Sequence, residues 1–293
     1  MQPFADTYYA SADGLRLYAR DYSGPHEDAK TLVCLPGLTR NSKDFAELAL
    51  HLSARYRVLC PDLRGRGRSA RDPKPENYTP NVYVDDIWHL LDGLGIDTVG
   101  IIGTSLGALM AMVMSALRPQ RITRIVLNDA GPELDPRGIA RISGYTGAPS
   151  APMTNWPEAA RRIAANYGVC YPDFGAAEWM DLARASCFRD VDGIVKFDYD
   201  ADIALGLKTG TATPDLWPLF EAIGSKPSLV LRGEISDLLT EEIVARMRSR
   251  LPALRTAIVP GRGHAPTLNE AAARAAIDDF LSSTLDHRPA ITA

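Results

Sequence analysis

The chain predicts an α/β fold, with a mostly parallel central sheet of about eight strands, helices on both faces, and a helical insertion near its middle. Three observations predict it. Short apolar β-type runs alternate with helical stretches through residues 31–127, the alternation resumes at about 215, and from about 133 to about 213 it stops. With 293 residues, 46% of them hydrophobic, there is ample apolar material for one large core.

Taken in order, Thr7–Ala10 and Leu15–Tyr22 form an antiparallel edge across the turn Ala12-Asp13-Gly14, since apolar and polar residues alternate after the turn. Thr31–Leu35 and Tyr56–Cys60 are apolar enough for buried strands, with a helix at Ser42–Leu52 between them. Residues 81–94 place Val84, Ile87, Trp88 and Leu91 on one helical face. Val99–Ile102 is a strand, a helix rich in Leu, Ala and Met runs from Ser105 to 117, and Ile122–Leu127 is the next strand.

After Asp129-Ala-Gly-Pro132 the segment 133–213 is rich in Trp, Tyr, Arg and Ala, with helices at Trp156–Tyr167 and Ala176–Ala185 and no core strand. The βα pattern then resumes with a helix at Asp215–Ile223, a strand at Ser228–Leu231 and a helix at Glu241–Leu251. A strand at Thr256–Val259, a helix at Asn269–Ser283 and a frayed tail from Asp286 complete it. The organisation expected is a core made of 1–132 and 214–293, and a helical cap at 133–213.

A formal net charge of −4, with Lys and Arg scattered singly, offers no basic patch for nucleic acid or an anionic membrane, so the expected partner is a small molecule. Oligomeric state is not legible. No stretch has the length and apolarity of a bilayer span, and the start lacks a basic, then apolar, export pattern; a cytoplasmic location is expected. Cys34, Cys60, Cys170 and Cys187 show no metal-type spacing and read as small buried hydrophobes.

Chemistry enters at Gly103-Thr-Ser-Leu-Gly107, a G-x-S-x-G run between a strand and a helix. Such a turn exposes the Ser105 hydroxyl at a sharp bend, and the N–H of Leu106 faces the place where an oxyanion would form. A serine hydroxyl needs a base. Of five histidines, His26 lies in a polar turn, His51 and His89 in helices and His287 in the tail, whereas His264 follows a strand in the glycine-flanked loop Val259-Pro-Gly-Arg-Gly-His-Ala-Pro266. A carboxylate should then fix the imidazole tautomer. Asp237, just past a strand in Leu231-Arg-Gly-Glu-Ile-Ser-Asp-Leu238, is the first choice, with Asp129 after the strand at 122–127 as the alternative acid and Glu234 less well placed.

The order Ser105, Asp237, His264, with acid and base each on a loop after a late strand, resembles the α/β-hydrolase family. Two further segments carry the resemblance, which spans nearly the whole chain. Leu35-Pro-Gly-Leu-Thr-Arg40 is similar to the family's oxyanion loop, with Pro36 where the usual His stands, and Asp62-Leu-Arg-Gly-Arg-Gly-Arg-Ser69 is similar to a loop common in its single-domain esterases, epoxide hydrolases and dehalogenases. The resemblance implies that the N–H of Leu38 joins that of Leu106 in an oxyanion hole.

The function expected is hydrolysis of a small carboxylic ester or lactone through an acyl-enzyme, with no metal and no organic cofactor. The same three residues also serve C–C hydrolysis of ring-fission diketones, thioester or amide cleavage, and cofactor-free perhydrolysis. A ligand-binding signalling protein with a slow triad is the alternative of another class. Serine at the elbow argues against the dehalogenase and epoxide-hydrolase routes, which by resemblance use a carboxylate nucleophile. Arg40, Tyr145, Trp156 and Trp179, with Phe188 and Tyr199, are candidates for the substrate pocket.

Overall fold

A computed structural model describes residues 2–147, 151–205 and 215–283. The first two strands, β1 (Ala5–Ala10) and β2 (Arg16–Tyr22), pair antiparallel as expected, from Ala5 opposite Asp21 to Ala10 opposite Arg16. Next come β3 (Thr31–Leu35), β4 (Arg57–Asp62), β5 (Val99–Thr104) and β6 (Ile122–Asn128). Two short strands, β7 (Cys187–Arg189) and β8 (Val195–Phe197), precede β9 (Ser228–Gly233) and β10 (Arg255–Val259). Eight of these make one sheet in the order β1-β2-β4-β3-β5-β6-β9-β10, parallel from β4 onward.

The period of two decides which side each residue serves. On β5, Ile101 packs into one apolar cluster and its neighbour Ile102 into another, on opposite faces of the sheet. The first cluster is covered by α2 (Pro80–Gly93) through Val84, Ile87 and Leu91, and by α3 (Leu106–Leu117) through Met110 and Met114. The second is covered by α1 (Ala46–Leu52) through Leu48 and Leu52, and by α9 (Ala271–Ser283) through Ile277 and Phe280. Strands such as β3, buried at all five positions, are therefore apolar after the opening Thr31.

Between β6 and β9 lie α4 (Pro136–Tyr145), α5 (Trp156–Tyr167), α6 (Ala176–Ser186) and α7 (Trp217–Glu221), and α8 (Glu241–Arg250) follows β9. Met153, Ile163, Ala183 and Val195 form a third apolar cluster within this stretch, separate from the two on the sheet. The expected cap boundary at 213 and the tail from Asp286 lie outside the described residues.

Two local readings change. The helix expected at Ser42–Leu52 opens with a 3₁₀ turn, Ser42–Phe45, because the Asn41 side chain accepts the Lys43 N–H and tightens the entry. The insertion also holds the β7–β8 hairpin, where the Asp190 carboxylate accepts the N–H groups of Asp192 and Ile194 and Gly193 takes a φ of +83°. All four cysteines are buried and free of disulfides. Among the described residues no helix is long and apolar enough to cross a membrane.

Candidate active site

Ser105 sits where β5 turns into α3, with φ 54° and ψ −112°. A β-carbon on Gly103 would come 2.3 Å from the Gly107 carbonyl oxygen, and one on Gly107 would come 2.1 Å from that of Leu35. Only glycine lets strand, turn and helix approach this closely. Strain of this kind at a serine is a sign of a positioned side chain rather than an ordinary helix cap. Leu106 opens α3, so its N–H belongs to the first turn, which has no acceptor inside the helix and sits at the positive end of the helix dipole.

The structure brings Ser105 and His264 together: Nε2 of His264 lies 2.8 Å from Ser105 Oγ. The carboxylate on the other ring nitrogen is that of Asp129, whose Oδ2 is 2.9 Å from Nδ1. An ionised carboxylate only accepts, so Nδ1 carries the proton and Nε2 is left to accept from the serine hydroxyl. Asp129 is fully buried and follows β6 directly in the left-handed region at φ 55°. Its Oδ1 accepts the N–H of Gly233 at 2.8 Å, and its Oδ2 accepts the hydroxyl of Ser236 at 2.6 Å.

The expectation that Asp237 orients His264 is therefore corrected. Its carboxylate accepts two hydrogen bonds from Arg141 on α4, from Nε at 2.5 Å and Nη2 at 2.8 Å. Partial burial pushes its pKa up, but the Arg141 guanidinium more than offsets this and holds the carboxyl below its ordinary range. The physical reason is local: Ser236 faces inward to Asp129, and its successor faces the insertion. Glu234 accepts the Gly261 N–H at 2.8 Å, bracing the loop that carries His264.

Leu38 lies on the loop after β3 that borders the site, and its carbonyl accepts a 2.9 Å hydrogen bond from Nε of Arg66. Arg66 is itself buried, and its Nη1 donates to the Arg64 carbonyl at 2.7 Å and the Tyr83 hydroxyl at 2.9 Å. This fixes the loop from behind. Arg64 is buried against Asp86 and Asp72, at 2.7 and 2.5 Å, so the arginine-rich loop at 62–69 is a structural strut. Sequence reasoning missed Ser236 and the role of Arg66, because both act through partners distant in the chain.

A cavity of about 450 Å³ opens onto Ser105 and His264. Tyr145 lines it as expected, with Tyr167, Tyr171 and Phe174. Arg40 also lines it, but its guanidinium is held by Asp44 at 2.6 and 2.7 Å and by Ser186. Trp156 and Trp179 are not on the wall, nor are Phe188 and Tyr199. Trp156 packs in the insertion's own cluster with Arg184 over its ring, and Trp179 stands edge-on behind Phe174 at 5.2 Å. Tyr171 donates its hydroxyl to the Ala265 carbonyl at 2.6 Å, which holds the residue after His264.

A family model described as the alpha/beta hydrolase fold matches residues 30–271. The chain is 34% identical over 284 residues to a 3-hydroxybutyrate-oligomer hydrolase of Cupriavidus necator, covering 93% of this chain and 95% of that one. It is 29% identical to a 2-(acetamidomethylene)succinate hydrolase of Mesorhizobium japonicum, with 78% and 79% covered. Among solved structures, an alpha/beta hydrolase from Novosphingobium aromaticivorans matches with a TM-score of 0.91 and 43% identity, over 96% of this chain and 99% of that one. Sheet order, the sharp turn at Gly103–Gly107 and family match agree, and the chain belongs to the α/β-hydrolase fold family and is a hydrolase.

Proposed function

We propose that this protein cleaves a carboxylic ester or lactone through an acyl-enzyme, with Ser105 as nucleophile, His264 as general base and Asp129 as the acid that orients it. The observation that carries the reading is the unbroken hydrogen-bonded line from Ser105 Oγ through the imidazole to Asp129 Oδ2, at 2.8 and 2.9 Å. In this reading Ser105 Oγ attacks the carbonyl carbon as its proton passes to His264 Nε2, and the oxyanion accepts from the N–H groups of Leu38 and Leu106. The tetrahedral adduct collapses, and the same proton leaves with the alcohol. Water then attacks the acyl-enzyme, giving its proton to Nε2, and the acid departs as Ser105 regains it.

An ester is favoured over the other bonds this machinery cuts because the Cupriavidus relative is named for an oligomer of 3-hydroxybutyrate, whose units are joined by ester bonds. Helices α4 to α6 serve as the cap: they supply Tyr145 and Tyr167 to the cavity wall and none of the three reacting groups. The test is a fluorophosphonate probe followed by peptide mass spectrometry. Label on Ser105, together with a loss of about 10³-fold or more in kcat for folded Ser105→Ala, is the expected result. Label on another serine of active enzyme overturns the reading.

A further inference from the structure

The polar groups on the cavity wall differ in how far they are already engaged. Among the described residues its Lys and Arg side chains are all taken: Arg40 by Asp44, Lys43 by Asp198 at 2.7 Å, and Arg262 by Asp173 at 2.6 Å and Glu270 at 3.1 Å. Where the wall meets solvent, Glu178 and Asp181 on α6 are exposed and add negative charge. Beside the Leu38 loop, apart from the paired Arg40 and Asp44 and the paired Lys43, the polar groups are uncharged. Tyr145 and Tyr167 place their rings 5.2 Å apart, and the Tyr167 hydroxyl lies 3.3 Å from Thr39 Oγ1, on the residue after Leu38. Burial pushes the Tyr145 phenol well above its ordinary pKa, so it keeps its proton.

A carboxylate drawn into such a cavity gives up its hydration and, among the described residues, meets no cation that is not already neutralised. A hydroxyl or an ester carbonyl loses far less on leaving water and gains a hydrogen bond from a phenol.

We propose that the site selects its ester by uncharged hydrogen bonds: Tyr145, Tyr167 and Thr39 hold a neutral oxygen of the non-reacting part of the substrate, a hydroxyl or a second ester carbonyl, and a carboxylate at that place is refused. The substrate class is then the hydroxyacyl ester, not the half-ester of a dicarboxylic acid. The inference rests on the ester-hydrolase reading above.

The experiment compares methyl 3-hydroxybutanoate, methyl butanoate and monomethyl succinate at neutral pH by pH-stat titration. The expected order in kcat/KM is the hydroxy ester about tenfold above the plain ester, the scale of one hydrogen bond, and the succinate half-ester about 100-fold or more below it. In Tyr145→Phe and Tyr167→Phe the ratio of hydroxy to plain ester should fall towards one. Thr39→Val makes the same test from the other side of the cluster if either phenylalanine variant fails to fold.

A half-ester turned over as well as methyl butanoate, or a hydroxy-to-plain ratio that persists in all folded variants, overturns the proposal. If esters are cleaved and Ser105 is labelled but no discrimination is seen, this proposal alone fails. If no methyl or activated ester is turned over, the ester reading fails and takes this proposal with it.

Discussion

The Ser236 hydroxyl donates to Asp129 Oδ2 at 2.6 Å while accepting the N–H groups of Leu238 and Leu239 at 3.2 and 3.1 Å. Those two incoming donors leave the hydroxyl proton only one direction, towards the carboxylate. The loop after β9 thus steadies an acid carried by the neighbouring strand β6, and Asp237, next in the chain, is free to tie that loop to α4 through Arg141. Acid and supporting loop have separate origins in the sequence and meet only because β6 and β9 are adjacent in the sheet.

The Asp237–Arg141 tie has a pH signature. Its carboxyl titrates below the ordinary range, so the tie's contribution is complete above about pH 4, the unfolded value, and fades as pH falls through the depressed folded value. The pair is partly exposed, which sets its worth at about 0.5–1 kcal/mol after screening. Urea melts of wild type and Asp237→Asn at pH 7 and at pH 3 should show the gap narrowing at the lower pH. A gap that widens there would be contrary to this assignment.

Arg66 should matter to turnover without touching substrate. Replacing it with Met leaves the Leu38 carbonyl without its 2.9 Å donor and frees the loop that aims the Leu38 N–H. Misaimed oxyanion donors act on the transition state, so kcat should fall about 10- to 100-fold with a smaller change in KM. Arg66→Lys keeps the charge but not all three hydrogen bonds and should recover only part of the loss. Steady-state kinetics per folded molecule, with folding checked by circular dichroism, decides this; equal effects on kcat and stability alone would point to a purely structural arginine.

Trp179 stands behind Phe174 and Tyr171 rather than on the wall, so Trp179→Ala should alter the pocket through those two rings. A redistribution of kcat/KM among five or six ester lengths by about 1–3 kcal/mol is expected, with a small activated ester keeping most of its rate. A uniform loss as deep as that of Ser105→Ala, in folded protein, would place a reacting group in the cap.

Much of this was legible because it is local. The alternation of β3 to β6 with their helices, and the G-x-S-x-G junction, are short-range patterns whose periodicity states which face is buried. The helices at Trp156–Tyr167 and Ala176–Ser186 carry the same kind of signal. The identity of the acid is a long-range matter. Asp129 and Asp237 each follow a strand, and choosing between them requires knowing that Arg141 lies beside one and His264 beside the other. The signal that favours Asp129 is its place directly at the end of an apolar strand, without the three intervening residues that carry Asp237 away from Gly233. Pocket lining was harder still: Trp156 and Trp179 are large aromatics used for packing the insertion on itself, and smaller contributions from Tyr167 and Phe174 form the wall.

The most direct test of the central claim is matched kinetics of Asp129→Asn and Asp237→Asn on one activated ester. Losing the true acid leaves the imidazole in the wrong tautomer, so Asp129→Asn should lose about 10⁴-fold in kcat while Asp237→Asn keeps activity within about tenfold of wild type. Asp237→Asn as the more crippled of the two, in protein shown to be folded, would contradict the assignment of Ser105, His264 and Asp129 as one catalytic unit.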